Sequence, residues 1–423
     1  MKQSKLFSLL LVVVFLAPVL SVRAQSQGPT YVIQEGDTLT SIAGTFGTTV
    51  DAIVAANGIE ETSILIPGTS LVIPGFEGIH GELTTQRIEF GETLESLSLR
   101  YGVAAEDLIR LNRILRPGRL YAGQALILTQ SGSNSSPATI SRTLPKDGEG
   151  KLALAVREGV NPWSLKTFEN DERLWVIPSQ ILVAPDGDRS INSLPDSIVS
   201  ATLHPSPAVQ GHTLVVRIDL DQSGWVEGRL DGKKLNFFSE DERSLVSLQG
   251  IHALTDPGLY DLEISLYPSL GEEPAFSFVQ PIRVLDGGYA FETINGVPAE
   301  TVDPAVINPE QEMVEELLAP ATPDRMWDGP FELPSNYYTE KFLSVFGTRR
   351  RGNVTYIDHS WGVYRGYFHQ SEFLVSEGDY VETGQVIGLV GNTGRSTGAH
   401  LHWEIWVGGV PVDPLDWIAR EYP

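Results

Sequence analysis

Gly36-Asp37-Thr38-Leu39 returns as Gly91-Glu92-Thr93-Leu94 and, more worn, as Gly148-Glu149-Gly150-Lys151. The phrase recurs after 55 and then 57 residues, and each copy meets a second glycine 11 positions on: Gly47, Gly102, Gly159. Beyond these lie an apolar residue (Ile53, Leu108, Leu165) and an asparagine (Asn57, Asn112, Asn170), and each copy closes on a β-rich segment at 68–74, 123–128 or 178–185. Self-similarity at a fixed period marks repeated small units rather than one large core. Within the first copy, residues 31–33 alternate like a strand, and Thr38 precedes a helical pattern (Leu39, Ile42, Ala43, Phe46) that stops at Gly47. Val50, Ile53 and Val54 share the face of a second helix that ends near Asn57. The spacing predicts a β-α-α-β unit of about 45 residues.

Gln34-Glu35-Gly36-Asp37-Thr38-Leu39 together with Ala56-Asn57-Gly58 resembles the LysM family. The resemblance implies binding of an N-acetylglucosamine-containing glycan, chiefly peptidoglycan, in a shallow groove between the first strand–helix loop and the second helix–strand loop. It carries the glycan-binding role to Gly36, Asp37, Thr38, Leu39 and Asn57 in copy one, and to Gly91, Glu92, Thr93 and Asn112 in copy two. The plainer reading is that these residues only close turns and cap helices; both hold if a capped loop offers backbone donors to acetamido groups. Copy two is basic in its second half (Arg110, Arg113, Arg116, Arg119), while copy three lacks the threonine, gains Pro162 and Trp163, and reads as degenerate.

The chain has 423 residues, 41% hydrophobic and 20% charged, with Gly 41 and Pro 27, which excludes a wholly disordered or collagen-like protein. A net charge of −24 repels nucleic acid. With no cysteine, disulfides, thiolate metal sites and cysteine nucleophiles are excluded, so a metal must be held by His, Asp or Glu. Lys2 and Lys5, the apolar run 6–20 and Val22-Arg23-Ala24 read as a signal peptide over 1–24, predicting a secreted, wall-associated product. The run is shorter than the ~20 residues a bilayer span needs, so no transmembrane segment is expected in the mature chain.

Residues 130–138 read as a Ser/Gly linker. Alternating strands are predicted at 198–203, 213–220, 225–230, 245–251, 258–266 and 276–284, an antiparallel sandwich. Asp256-Pro257-Gly258-Leu259-Tyr260 resembles the tyrosine corner of immunoglobulin-like domains, which makes a metal site at His252 and Asp256 the weaker reading. Residues 287–340 read as a Pro-rich connector with one short helix over 310–318.

The last stretch carries His359, His369, His400 and His402 among hairpins, and strand periodicity places His400, His402 and Glu404 on one face. Gly391-Asn392-Thr393-Gly394-Arg395-Ser396-Thr397-Gly398-Ala399-His400-Leu401-His402-Trp403-Glu404 resembles the lysostaphin-type (LytM-like) zinc metallopeptidases, which cut peptide crosslinks of peptidoglycan. The resemblance makes His402 a zinc ligand and His369 and His400 catalytic, with His359 a core residue. It also exposes a departure. Phe346-Gly347-Thr348-Arg349 runs straight into Gly352-Asn353-Val354, with no His-x-Gly-x-Asp segment and no histidine between His252 and His359, so two of the three expected zinc ligands are missing and the zinc site is expected to be incomplete.

The expected architecture is multidomain: signal peptide 1–24, small α+β LysM repeats at 30–74, 84–129 and 139–185 (degenerate), an immunoglobulin-like β-sandwich at 196–286, the connector 287–340, and an incomplete, mainly antiparallel β peptidase-like domain at 341–423. Two functional expectations follow from the resemblance. One is a zinc endopeptidase of peptidoglycan; the other is a non-catalytic wall-binding protein or an activator with an amidase partner.

Overall fold

The computed structural model describes residues 28–130, 139–146, 148–167, 180–185, 189–190, 194–268, 271–289, 304–335, 352–394, 396 and 398–423. The signal peptide, residues 131–138 of the expected 130–138 linker, Asn170 and the Phe346–Arg349 motif lie outside the described residues, while residue 130 ends the strand Ala125–Gln130. The chain forms two compact units, Met1–Leu83 and Thr84–Pro423.

In the first unit, the Thr38 hydroxyl accepts from the Ser41 amide while the Ser41 hydroxyl accepts from the Thr38 amide, a reciprocal cap that starts the helix Leu39–Phe46. Gly47 ends it in the left-handed conformation at φ 61°, where a glycine pays no Cβ penalty. The second helix, Val50–Asn57, carries Ile53 into the centre with no exposure, and the strands Thr30–Val32 and Ser70–Val72 pair antiparallel beneath. The β-α-α-β order expected here is present, with the first strand one residue earlier than 31–33 and the closing strand shorter than 68–74.

Copy two opens the second unit in the same way. Thr93 and Ser96 cap Leu94–Tyr101, Ala105–Asn112 follows, and Leu108 is fully buried. Copy three departs. Gly150 offers no side-chain cap to the helix Lys151–Glu158, and where a second helix was expected Asn161 folds the chain into a turn, its carbonyl taking the Ser164 amide and its side chain the Trp163 amide. A two-residue strand, Lys166–Thr167, then pairs with Leu182–Pro185. Leu165 still fills the core position of Ile53 and Leu108.

The middle region contains two sheets. One orders Ala208–Val209, Phe276–Leu285, Gly258–Tyr267, Trp225–Leu230 and Lys233–Leu235; the other orders Phe238–Ser239, Ser244–Gly250, Thr213–Leu220 and Ile198–His204. All six predicted strands are present, displaced by no more than one residue at either end. The Tyr260 hydroxyl donates to the Asp256 carbonyl at 2.7 Å, and the His252 ring accepts from the Leu254 amide at 3.0 Å. Along Thr213–Leu220, Leu214, Val216, Ile218 and Leu220 point into the core between the sheets, while Val215 points the other way into a second core. This is the period-two alternation of a strand, here buried on both faces.

That second core is shared. Val215, Phe238, Val246 and Leu248 of the sandwich pack with Trp361, Val363, Ile405, Val407, Val412 and Trp417 of the C-terminal region. A Cβ on Gly250 would lie 2.8 Å from Val412 Cγ1 and 2.9 Å from the Val407 carbonyl, so the two layers meet where only glycine fits. The C-terminal sheet orders Val354–Asp358, Val363–Phe368, His402–Val407 and Val410–Val412, all antiparallel, and Gln370–Phe373 pairs separately with Gly388–Val390.

The connector expectation needs correction. The helix runs Pro304–Leu317, longer than the span foreseen, with Pro309 inside it. Residues 318–335 are part of the C-terminal core: Phe331 is buried, its amide donates to the Trp417 carbonyl, and the Trp361 indole donates to the Pro323 carbonyl. Aromatic side chains at 327 and 331 outweigh the prolines that suggested an open linker.

Candidate active site

Three imidazoles meet at one end of the C-terminal sheet. His369 sits between the strands Val363–Phe368 and Gln370–Phe373, fully buried, with a left-handed backbone (φ 64°) that turns the chain from one sheet into the other. Such a conformation is uncommon for a non-glycine residue and clusters at functional sites. His400 lies on the bridge to Gly391, its ring centroid 4.7 Å from that of His369; His402 begins the strand His402–Val407, its ring 6.1 Å from His369. The structure brings these three residues together in space.

Each ring has one nitrogen anchored. His369 Nδ1 is 2.7 Å from the Thr393 carbonyl, His400 Nδ1 is 2.7 Å from the Gly398 carbonyl, and His402 Nε2 is 2.8 Å from Glu404 Oε1. A carbonyl or carboxylate only accepts, so in the neutral ring the anchored nitrogen carries the proton and the lone pair sits on the other: Nε2 of His369 and His400, Nδ1 of His402. Glu404 is held in turn by the Trp406 indole at 2.8 Å. The two carbonyls escape any reading by residue type, since every residue has one; Glu404 was legible through its alternation with His402.

This donor set suits zinc by its chemistry, because neutral imidazoles oriented by outer partners are zinc ligands of the usual kind. Geometry is less generous. Among the described residues no three His, Asp or Glu side chains converge on a point that could hold a metal ion. His359 stands apart as a core residue: burial and the neighbouring Arg365 guanidinium push its pKa down to about 3, and its ring lies 5.0 Å from Phe331.

The glycan-site residues divide by copy. Gly36 and Thr38 are exposed on their loop, and Asp37 closes it by accepting from the Gln34 amide at 2.7 Å and the Tyr31 hydroxyl at 2.8 Å. Leu39 is buried in the helix core. Asn57 and Asn112 have their amides turned inward. Both amide hydrogens of Asn57 go to the Ile53 and Val72 carbonyls while its oxygen takes the Val72 amide, and Asn112 repeats this with Leu108 and Ile127. They clamp the second helix to the closing strand. In copy two Gly91 and Glu92 are buried, Glu92 paired with Arg100, and Thr93 is spent on its cap. Burial raises the Glu92 pKa, against the pull of Arg100.

LysM matches residues 31–74 and 87–129, and Peptidase family M23 matches residues 343–414. The chain therefore carries two LysM domains and a C-terminal M23 (LytM-type) domain, and the M23 match supports zinc in general terms. It is 52% identical over 64 residues to the DD-carboxypeptidase/endopeptidase Mpg of Neisseria meningitidis, covering 15% of each chain. It is 48% identical over 64 residues to the peptidoglycan DD-endopeptidase ShyA of Vibrio cholerae, again 15% of each. Its likeness to the N-acetylmuramoyl-L-alanine amidase sle1 of Staphylococcus epidermidis is 28% over 110 residues, 24% of this chain and 33% of that one. The chain thus spans about 15% of the length of the endopeptidases it matches. A crystal structure of a putative peptidase M23 from Pseudomonas aeruginosa matches at a TM-score of 0.34 and 23% identity, covering 50% of this chain and 95% of that one. Among the described residues no single helix is long and apolar enough to cross a membrane.

Proposed function

We propose that this chain is a secreted, extracytoplasmic peptidoglycan-binding protein of the M23 endopeptidase lineage, anchored by its first LysM, with an immunoglobulin-like sandwich joining the repeats to the peptidase-like domain. The observation that carries the binding reading is the exposed Gly36 and Thr38 loop inside the stretch that LysM matches, and the M23 lineage is supported by the His369–His400–His402 cluster inside the stretch that M23 matches. His402 is the proposed zinc ligand; His369 and His400 are the residues proposed to hold and pass a proton at Nε2 beside a scissile carbonyl.

A second reading has its own support. Among the described residues no three His, Asp or Glu side chains could hold a metal ion, and the sequence contains no His-x-Gly-x-Asp segment to add to the cluster. A catalytic zinc wants three protein ligands and an open position. Recruiting all three histidines as ligands would leave none for proton transfer or the oxyanion, a loss of ~100-fold or more per group. We therefore place wall binding first and efficient hydrolysis second; nothing in the geometry points to an amidase partner.

The test uses the full mature chain. It should sediment with insoluble peptidoglycan, be released by chitin oligomers, hold zinc weakly and clear cell walls slowly or not at all. Failure to sediment overturns the binding reading. One tightly held zinc per chain, with EDTA-sensitive clearing abolished by His402→Ala, establishes an efficient peptidase instead.

A further inference from the structure

The sandwich strand Phe276–Leu285 lies across the second LysM. Phe278, Gln280 and Ile282 alternate onto one face of it, and each meets copy two. The Phe278 ring stands edge-on to Phe90 at 5.3 Å, and Ile282 bridges to Ala122. Between them Gln280 Oε1 accepts from the Gly91 amide at 2.8 Å, and its Nε2 donates to the Glu92 carbonyl at 3.1 Å. On the far side of the groove the Ala122 amide donates to the Pro281 carbonyl at 3.2 Å, and Arg283 donates to the Tyr121 hydroxyl at 3.2 Å. The loops on both sides of the copy-two groove are thus closed on one strand of the same chain. A Cβ on Gly91 would lie 2.5 Å from Leu194 Cγ, so nothing larger than hydrogen fits there. Copy one is the contrast: a Cβ on Gly36 would meet nothing within 4 Å.

A primary carboxamide presents a carbonyl acceptor and N–H donors in one plane, and used through one of its hydrogens it matches the single acceptor and single donor of an acetamido group. We propose that the Gln280 side chain stands in for the acetamido group of a glycan, and that its strand keeps the second LysM shut to glycan in the folded protein. The inference rests on the reading of the first LysM as a glycan receptor. Phe90 and Ala122 belong to the sandwich core and hold the Gln280 carboxamide against the Gly91 loop, so in the wild type a sugar must displace that carboxamide against the packing, a cost that a weakly bound sugar does not repay.

Calorimetric titration of the full chain with a chitin tetramer should count one site in the wild type and two in Gln280→Ala. Two sites in the wild type overturn the proposal, as does a single site in both proteins. Silence in both, with copy one failing as well, overturns the glycan reading on which the proposal stands. Should Gln280→Ala loosen the sandwich, amide exchange in the wild type decides: a saturating oligomer should protect residues 34–39 and leave Gly91 unchanged, and added protection at Gly91 overturns the proposal.

Discussion

His402 donates from Nε2 to Glu404 Oε1 across 2.8 Å, and the other oxygen of that carboxylate takes the Trp406 indole. The carboxylate is thus the part that aims the lone pair of His402 at Nδ1. Glu404→Ala should turn a single Nε2-protonated tautomer into a mixture, visible in the nitrogen-15 shifts of the ring at alkaline pH, and cost about 1–3 kcal/mol through the orphaned indole. An unchanged tautomer in the variant would remove Glu404 from this role.

Asn57→Ala should destabilise the first LysM by about 2–4 kcal/mol, since it leaves the amide and carbonyl of Val72 without their partner. Glycan affinity of the fraction that remains folded should stay at the wild-type value. A fall in that affinity with unchanged melting would return Asn57 to the binding surface.

His359 carries the pH dependence of the C-terminal core. Its pKa is about 3 in the fold against an ordinary 6.5 unfolded, so the folded chain binds fewer protons. Its contribution is full above 6.5 and is lost as the pH falls from there toward 3. The difference in unfolding free energy between wild type and His359→Gln should shrink by about 2–4 kcal/mol over that window. A difference constant with pH would refute it.

Asp416 holds the C-terminus. Burial works to raise its pKa, but hydrogen bonds from His212 and Tyr422 lower it overall, with Arg420 adding to them. A lowered carboxylate stabilises above its ordinary 3.8 and loses that contribution as the pH falls through the folded value. At neutral pH Asp416→Asn should cost about 2–4 kcal/mol in thermal or denaturant unfolding, because the Arg420 and His212 contacts lose their charge.

The repeats were legible because their marks are local. Thr38 and Thr93 cap helices, Gly47 and Gly102 end them, and Ile53, Leu108 and Leu165 fill one core position in all three copies. The six sandwich strands were legible by alternation, and the imidazole cluster by its His-x-His spacing and family resemblance. What escaped was long-range. Nothing near Trp327 or Phe331 announces that they pack under Trp417, and nothing near Gln280 announces a partner at Gly91, 189 residues away. The inward bonds of the asparagines were equally hidden: a recurring polar residue near a loop gives no local sign that its amide closes on a strand 15 residues on.

The core shared by Val215, Val246 and Leu248 with Ile405, Val407 and Trp417 bears on how such a chain can be cut and rejoined. A peptidase-like segment severed at residue 341 would leave Trp327 and Phe331 behind on the other piece, and with them the sheet that covers its inner face. Modular genes are usually pictured as beads that can be restrung; here the last bead and the one before it are halves of a single object, heritable only together.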